Sequence, residues 1–296
     1  MSRPHTRMFR VSSGLGAAAL LCLGLCVSAC NALRALFPSN VYESVAPEIP
    51  ELGETAVLLV TKTNGFRHEE AIAAGVPVIQ EIGQRNGWSV FHTENGAVHN
   101  AADLSKFDAV VWFQVSGDLL DEVQRAALKA YIEGGGGFVA VHGSGGDGSY
   151  EWDWYVSDLI GEQFIGHIMA PQFQEATVVV EDLDHPATRG LPATWQHTEE
   201  WYSFEASPRP RGARILMSVD ESTYDPTMWM KDLSMGDHPV VWSHCPGAGR
   251  AFFSALGHQA VAYEKPEHLS MLEGAIAWAA GLHPGECAHK LAAGSN

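Results

Sequence analysis

Cysteine is scarce in this sequence, and most of it lies near the start of the chain. There are five cysteines in 296 residues, and three of them fall within the first 30. So few cysteines exclude a disulfide-scaffolded domain and a cysteine-rich metal module. Cys245 and Cys287 remain for the folded part, and they can pair in an oxidising compartment. Cys245 ends an apolar stretch, which favours a small core residue over a nucleophile.

Basic residues are also few, with 18 Lys and Arg against 35 Asp and Glu, for a formal net charge of −17. An excess of negative charge repels phosphate backbones and anionic head groups. We therefore expect no nucleic acid partner. The hydrophobic fraction of 46% is typical of a folded globular protein. The length suits one large α/β domain with a leader and short tails as well as two small domains, and one domain is the simpler interpretation because no internal repeat is evident.

One apolar run stands out, and it is too short to span a bilayer comfortably. It extends from Leu15 to Val27 and follows three arginines, which is the pattern of a signal peptide. The end of this run, Val27-Ser28-Ala29-Cys30, resembles the bacterial lipobox, so we expect Cys30 to be lipidated. An ordinary secretory signal and an uncleaved anchor remain alternatives.

A lipidated Cys30 implies an exported lipoprotein of the cell envelope, attached to a membrane by its acyl chains. Asn31 follows the cysteine and favours the periplasmic face of the outer membrane. The predicted organisation is then a signal peptide at residues 1–29, a proline-containing tether at 30–54, a folded domain at 55–282 and a C-terminal tail at 283–296.

The folded segment alternates strand-like and helix-like stretches, and its first strands are continuous apolar runs of the kind that parallel sheets bury on both faces. This pattern predicts an α/β fold with a doubly wound, mostly parallel sheet and helices on both faces. The last two strands are separated by Pro246–Gly249, which predicts a hairpin. Strands are predicted at Ala56–Thr63, Trp88–His92, Asp108–Val115, Phe138–His142, Ala176–Glu181, Ala213–Val219, Pro239–His244 and Arg250–Ala255, and helices at about Gly75–Asn86, Asp121–Glu133 and Pro266–Ala280.

Polar residues follow four of the predicted strands at the point where each strand ends. In open α/β sheets, ligands bind outside the carboxyl ends of the strands. We therefore expect these side chains to share one site, although scattered surface histidines remain the alternative. The residues concerned are His68, Asp118, His142, Asp147 and His258.

The segment between Tyr150 and Trp201 is rich in aromatic residues and loops, and it adds His167 and the pair Glu199-Glu200. Aromatic faces beside carboxylates suit a sugar, because its C–H faces stack on rings while its hydroxyls bind acids and amides. The alternative is that the aromatics simply cover one side of the sheet. The candidate sugar-contacting aromatics are Trp154, Tyr155, Trp201 and Tyr202.

Two motif matches do not carry a function. Gly143–Gly148 fits the glycine pattern of a dinucleotide site, but it follows the fourth strand and lacks the helix and the later acid, so no nucleotide is expected. His68-Glu69-Glu70-Ala71-Ile72 begins like a zinc-protease motif but ends in isoleucine, which excludes that interpretation.

Several motifs together resemble those of the ThuA-like family, named for trehalose utilisation. The resemblance covers about residues 55–282, and one departure is Glu199, where the family often has Asp, which leaves the role of Glu199 undecided. The resemblance implies a flavodoxin-like sheet related to the class I glutamine amidotransferases. The matching motifs are Gly65–His68, Val139–Gly143, Trp152–Tyr155, Asp184–Thr188, Glu199–Tyr202, Asp237–Pro239 and Gly257–His258.

By this resemblance His142 occupies the place of the amidotransferase nucleophilic cysteine, so an acyl-enzyme mechanism is not expected. Ser144 is close by but lacks the elbow position. The implied catalytic residues are His142, His258 and Glu200. Two histidines can act as general acid and base, or they can hold a divalent metal together with His68, and both interpretations stay open. The implied substrate-binding residues are His68, Asp118, Asp147, Trp154, Tyr155, His167, Trp201 and Tyr202.

The function that the resemblance implies is carbohydrate catabolism, on glycosides or disaccharides or on their 3-keto forms. Isomerisation, elimination and hydrolysis are the expected reaction types. A glycosidase needs two carboxyl groups about 5–9 Å apart, and the adjacent Glu199 and Glu200 would point in opposite directions on a strand. The competing hypothesis is a sugar-binding lipoprotein whose amidotransferase-like site has lost its chemistry.

Overall fold

The computed structural model describes residues 40–148, 150–283 and 287–292. The predicted signal peptide and Cys30 lie outside the described residues. Within these ranges none of the helices is long and apolar enough to cross a membrane. The four α-helices there are α1 (Glu69–Asn86), α2 (Ala101–Leu104), α3 (Glu122–Glu133) and α4 (Pro266–Ala279). The strands there are β1 (Ala56–Val60), β2 (Ser89–Thr93), β3 (Ala109–Phe113), β4 (Gly137–Val141), β5 (Phe164–Gly166), β6 (Gln174–Val180), β7 (Thr194–Glu199), β8 (Ser203–Phe204), β9 (Arg214–Val219), β10 (Thr227–Met228), β11 (Lys231–Asp232), β12 (Pro239–His244) and β13 (Arg250–Ser254).

Nine strands form the central sheet, in the order β2-β1-β3-β4-β13-β12-β9-β6-β7. The first five are parallel neighbours. The remaining pairs are antiparallel, so β12 and β6 run opposite to the other strands. The prediction of an α/β fold with a mostly parallel sheet is confirmed, and so is the predicted hairpin between β12 and β13. Strands β1, β3 and β4 are buried along their whole length, as continuous apolar runs require.

The helices follow local signals in the sequence. Asp121 caps α3, since its carboxylate accepts from the backbone of Val123 and Gln124 while the Gln124 side chain accepts from the Asp121 backbone. Helix α1 begins at Glu69, six residues before the predicted start, so Pro77 lies inside the helix and not in its first turn. Two glutamates in that first turn favour the earlier start, because the helix dipole stabilises negative charge there.

One strand of the sheet was missing from the sequence prediction. Strand β7 occupies the sheet edge, and buried positions alternate with exposed ones along its second half. A search for apolar runs does not detect β7, because one face of this strand is exposed and carries polar residues. This strand matters for the site, since Glu199 is its last residue.

The two ends of the described chain pack onto the domain. Within the predicted tether, Glu43 accepts hydrogen bonds from Lys62 and from the Gly96 backbone. In the tail, Cys287 forms a disulfide with Cys245, at a Cα–Cα distance of 5.7 Å. The tail also hydrogen-bonds through its backbone, because Cys245 donates to the His289 carbonyl.

Candidate active site

Four side chains from separate parts of the sequence meet at the carboxyl edge of the sheet: His68, His142, Glu200 and His258. Each offers one nitrogen or oxygen, and these atoms all lie within 4.8 Å of one another. His142 directly follows β4, Glu200 directly follows β7, and His258 lies in the turn after β13. His68 directly precedes α1, beyond the end of β1. The shared site predicted from the strand ends therefore includes three of the histidines.

His142 is held in one orientation by its backbone and by a carbonyl. Its φ of 46° is in the left-handed region, which residues other than glycine adopt mainly at functional sites. Its Nδ1 lies 2.6 Å from the Ala255 carbonyl oxygen, which can only accept, so Nδ1 carries a proton. Its Nε2 faces His258 Nδ1 at 3.0 Å, and Tyr202 stacks on the ring with centroids 4.2 Å apart.

Glu200 supplies the negative charge of the cluster. Its Oε2 lies 3.0 Å from His258 Nδ1 and 3.5 Å from His142 Nε2. Its Oε1 lies 3.1 Å from His167 Nδ1 and accepts from Gln172 at 2.5 Å. Burial alone would raise the pKa of Glu200, but hydrogen bonds with His142 and His258 outweigh it and hold this pKa below its ordinary value. The carboxylate is therefore ionised at neutral pH.

The pKa values of His142 and His68 are shifted in opposite directions. Burial alone would lower the pKa of His142, but the hydrogen bond to Glu200 and the charge of Glu199 outweigh it and raise this pKa. Burial, with His142 and His258 close by, lowers the pKa of His68 well below its ordinary value. His68 is therefore neutral, whereas His142 can carry the proton that balances Glu200.

His68 has a buried nitrogen without a partner. Its ring meets those of His142 and His258 edge-on, with centroids 5.0 and 4.7 Å apart, and its Nδ1 has no hydrogen-bond partner. Buried polar atoms are nearly always paired, so an unpaired imidazole nitrogen within a cluster points to a ligand. Gly143 permits this packing, because a Cβ there would lie 2.9 Å from the His68 ring.

Glu199, whose role the sequence left undecided, turns away from Glu200 and binds backbone. Its carboxylate accepts from the backbone N–H groups of Gly257 at 2.6 Å, His258 at 3.2 Å and Glu200 at 2.9 Å. Burial would raise the pKa of Glu199, but the His197 hydrogen bond and nearby His142 lower it to about 2. This ionised carboxylate fixes the turn that carries His258.

Sequence reasoning missed two glutamines that support the cluster. Gln114 has a φ of 57°, donates to the Gly257 carbonyl at 2.7 Å and accepts from the Gly143 backbone at 3.2 Å. Gln172 binds the oxygen of Glu200 that faces His167. A polar residue directly after the apolar strand β3 was the available signal for Gln114. No comparable signal marks Gln172, which lies in the loop before β6.

The other predicted site residues fall into two groups. His167 and Tyr202 touch the cluster, while Asp147 lies on the loop after the His142–Gly145 turn. The side chains of the other group contact residues outside these four: Trp201 donates to the Gln174 carbonyl, Tyr155 and Trp154 belong to an aromatic group with Trp152, and Asp118 pairs with Arg125. Ser144 is buried and donates to the Trp112 carbonyl.

The comparisons with known proteins agree with the motifs. Residues 56–279 match the model of the ThuA family, which is described as trehalose utilisation. A ThuA-like protein from Bacteroides uniformis ATCC 8492 has a similar fold, with a TM-score of 0.65 and 21% identity over 79% of this chain and 95% of its own. Another from Parabacteroides merdae ATCC 43184 has a TM-score of 0.57 and 20% identity over 80% of this chain and 92% of its own. A search among curated protein sequences finds no match. Because the family model spans most of the folded segment, this chain belongs to the ThuA family of trehalose utilisation.

Proposed function

We propose that this protein is an enzyme of carbohydrate catabolism that acts on glycosides or disaccharides in their 3-keto forms. The observation that carries the proposal is the buried convergence of His68, His142, Glu200 and His258. A keto group acidifies the neighbouring C–H, so removal of that proton starts isomerisation or elimination of the glycosidic bond. Family membership supports the sugar substrate, and the cluster supports the chemistry.

The four residues also fit a divalent metal. His142 donates from Nδ1 to a backbone carbonyl, which is the usual outer contact of a metal-binding histidine and directs Nε2 toward His258 and Glu200. His68 offers an unpaired buried nitrogen. Three imidazoles and one carboxylate suit a first-row transition metal better than magnesium or calcium, which prefer oxygen ligands. A bound metal would polarise the substrate carbonyl and stabilise the enolate charge.

The remaining residues suit proton handling and positioning. His167 Nδ1 lies 3.1 Å from Glu200 Oε1, the oxygen that faces away from His258. The His167 side chain is partly exposed, so it can contact a substrate. Tyr202 stacks on His142 and closes one side of the cluster. Glu199 is occupied by three backbone N–H groups, so it is not available as the second carboxyl group of a glycosidase.

We also propose that the sheet is doubly wound and that the protein is exported. Helix α1 contacts α4 and α2 contacts α3, which supports a doubly wound sheet with helices on both faces. The Cys245–Cys287 disulfide supports an oxidising compartment and therefore export, in accord with the predicted lipoprotein signal at Cys30.

The test combines metal analysis with turnover. Purified protein is analysed for bound metals and incubated with disaccharides and their 3-keto forms. We expect a first-row metal close to one per chain and conversion of the keto forms, both lost in His142→Ala and Glu200→Gln. His283→Ala is the matched control, since His283 lies near Arg250 at the opposite edge of the sheet. Tight sugar binding without conversion by the metal-loaded protein would overturn the enzyme and support a binding protein.

A further inference from the structure

A small hairpin beside the site exposes two large apolar side chains. Strands β10 and β11 are joined by Trp229 and Met230, which are 96% and 102% exposed. Two-residue hairpin turns usually contain asparagine and glycine, because such turns need a positive φ. Trp229 has a φ of 56°, which is in the left-handed region, so the backbone is strained at the tip of the hairpin. Because the Trp229 side chain is almost completely exposed, packing within the fold does not explain a tryptophan at this position.

The hairpin is attached to the segment that carries His167, on both sides of that residue. The Met169 N–H donates to Met228 Sδ at 3.4 Å, and Lys231 Nζ donates to the Ile165 carbonyl at 3.3 Å. His167 lies between these two attachments, with its Nδ1 3.1 Å from Glu200. The two residues on either side of the hairpin tip are thus bound to the segment that brings His167 to the candidate active site.

We propose that Trp229 forms an aromatic subsite for the sugar ring next to the one that reacts, an inference that rests on the proposed function. A flat indole face stacks on the C–H face of a pyranose, and Met230 extends this surface. Lys231 and Asp232 follow the tip and offer polar partners to hydroxyl groups. Ile165 and Met169, in the segment that carries His167, are also exposed apolar residues, at 45% and 58%.

A membrane is the competing partner for an exposed tryptophan, and the charges oppose it. Asp225 precedes the hairpin and Asp232 ends it, and their pKa values are lowered by hydrogen bonds from Thr227 and from Ser234. Both carboxylates are therefore ionised at neutral pH and outnumber the single ammonium of Lys231, so anionic lipid head groups repel the hairpin. A neutral sugar is not repelled.

The experiment compares Trp229→Ala with wild type on two probes, a 3-keto disaccharide and the 3-keto methyl glycoside. We expect the ratio of the KM for the disaccharide to that for the methyl glycoside to rise about tenfold, because only the disaccharide has a ring for the subsite. Trp229→Phe should bring this KM ratio most of the way back to the wild-type value, because phenylalanine keeps an aromatic face. Val123→Ala removes another exposed apolar side chain, 78% exposed on α3, and should leave this KM ratio unchanged.

Binding of the 3-keto disaccharide, followed by calorimetry, separates the two proposals. If wild type converts neither probe, the proposed function fails, and the subsite is then judged by whether Trp229→Ala weakens disaccharide binding. An unchanged KM ratio together with unchanged binding overturns the subsite. So does reduced sedimentation of Trp229→Ala with phosphatidylethanolamine–phosphatidylglycerol vesicles at unchanged sugar affinity, which would identify a membrane contact.

Discussion

At the scale of single residues, hydrogen-bond partners decide what each histidine does. His99 and His142 both donate from Nδ1 to a backbone carbonyl and are both fully buried. The Nε2 of His99 accepts from the Trp112 indole at 3.0 Å, so His99 is satisfied as a neutral core residue. The Nε2 of His142 instead faces Glu200 and His258. The same residue type therefore serves packing in one place and chemistry in the other.

The first prediction concerns pH and His99. Burial lowers the pKa of His99 to about 4 from an ordinary value of 6.5. Below pH 6.5 the unfolded chain binds a proton at His99, whereas the folded chain does not. The stabilisation of the fold by neutral His99 is therefore complete above pH 6.5 and is lost as pH falls toward 4. We expect about 3 kcal/mol of the unfolding free energy to disappear in this window because of His99. Urea denaturation at pH 7 and pH 4.5 measures it.

The His99→Gln variant provides the comparison, since glutamine does not titrate and keeps an acceptor for Trp112. Its unfolding free energy should be lower than that of wild type at pH 7 but should fall less between the two pH values. Equal losses in wild type and His99→Gln would show that His99 does not contribute to the acid sensitivity.

At the scale of elements, a short N-terminal segment is bound to the sheet through one buried lysine. Lys62 follows β1 and is 4% exposed. Its ammonium donates to the Val41 carbonyl at 2.6 Å and to Glu43 at 2.5 Å. Gln124 donates to the Glu43 carbonyl from the start of α3. Part of the segment predicted as a tether thus covers the polar end of a core strand.

The second prediction is that Glu43→Gln lowers the unfolding free energy by about 1–3 kcal/mol, because it leaves the buried Lys62 without its negative partner. Chemical denaturation measures the loss, and Glu48→Gln in the exposed part of the same segment is the control. In the Lys62→Met background, Glu43→Gln should lower the unfolding free energy by a clearly smaller amount. Equal costs in both backgrounds would show that the two residues are not energetically coupled.

At the scale of the whole molecule, the disulfide joins the end of β12 to the tail across 42 positions of sequence. Closing a loop of this length restricts the unfolded chain. The third prediction is that Cys287→Ala lowers the unfolding free energy by about 2–4 kcal/mol under oxidising conditions. With a reducing agent present, the variant and wild type should become nearly equal. A difference that persists after reduction would mean that the tail stabilises through its packing instead.

Much of the fold could be predicted because its signals are local. The buried strands β1, β3 and β4 are apolar runs, and α3 begins at an aspartate that can cap it. Strand β7 and the early start of α1 could not be found in this way. An edge strand with polar residues resembles a loop, and Pro77 suggests a helix start although the helix already exists before it.

Local patterns in the sequence predict the α/β class, the family and the placement of His68, His142 and His258 after strand ends, because periodicity and strand boundaries depend on neighbouring residues. The packed fold is needed to show that Glu200 joins these histidines while Glu199 binds backbone, and that Trp154, Tyr155 and Asp118 contact residues outside this cluster. Strand β7 is at the sheet edge, several strands from β4 and β13, so its contacts depend on how the chain returns across the sheet. That return is a property of the packed fold, and no local pattern records it.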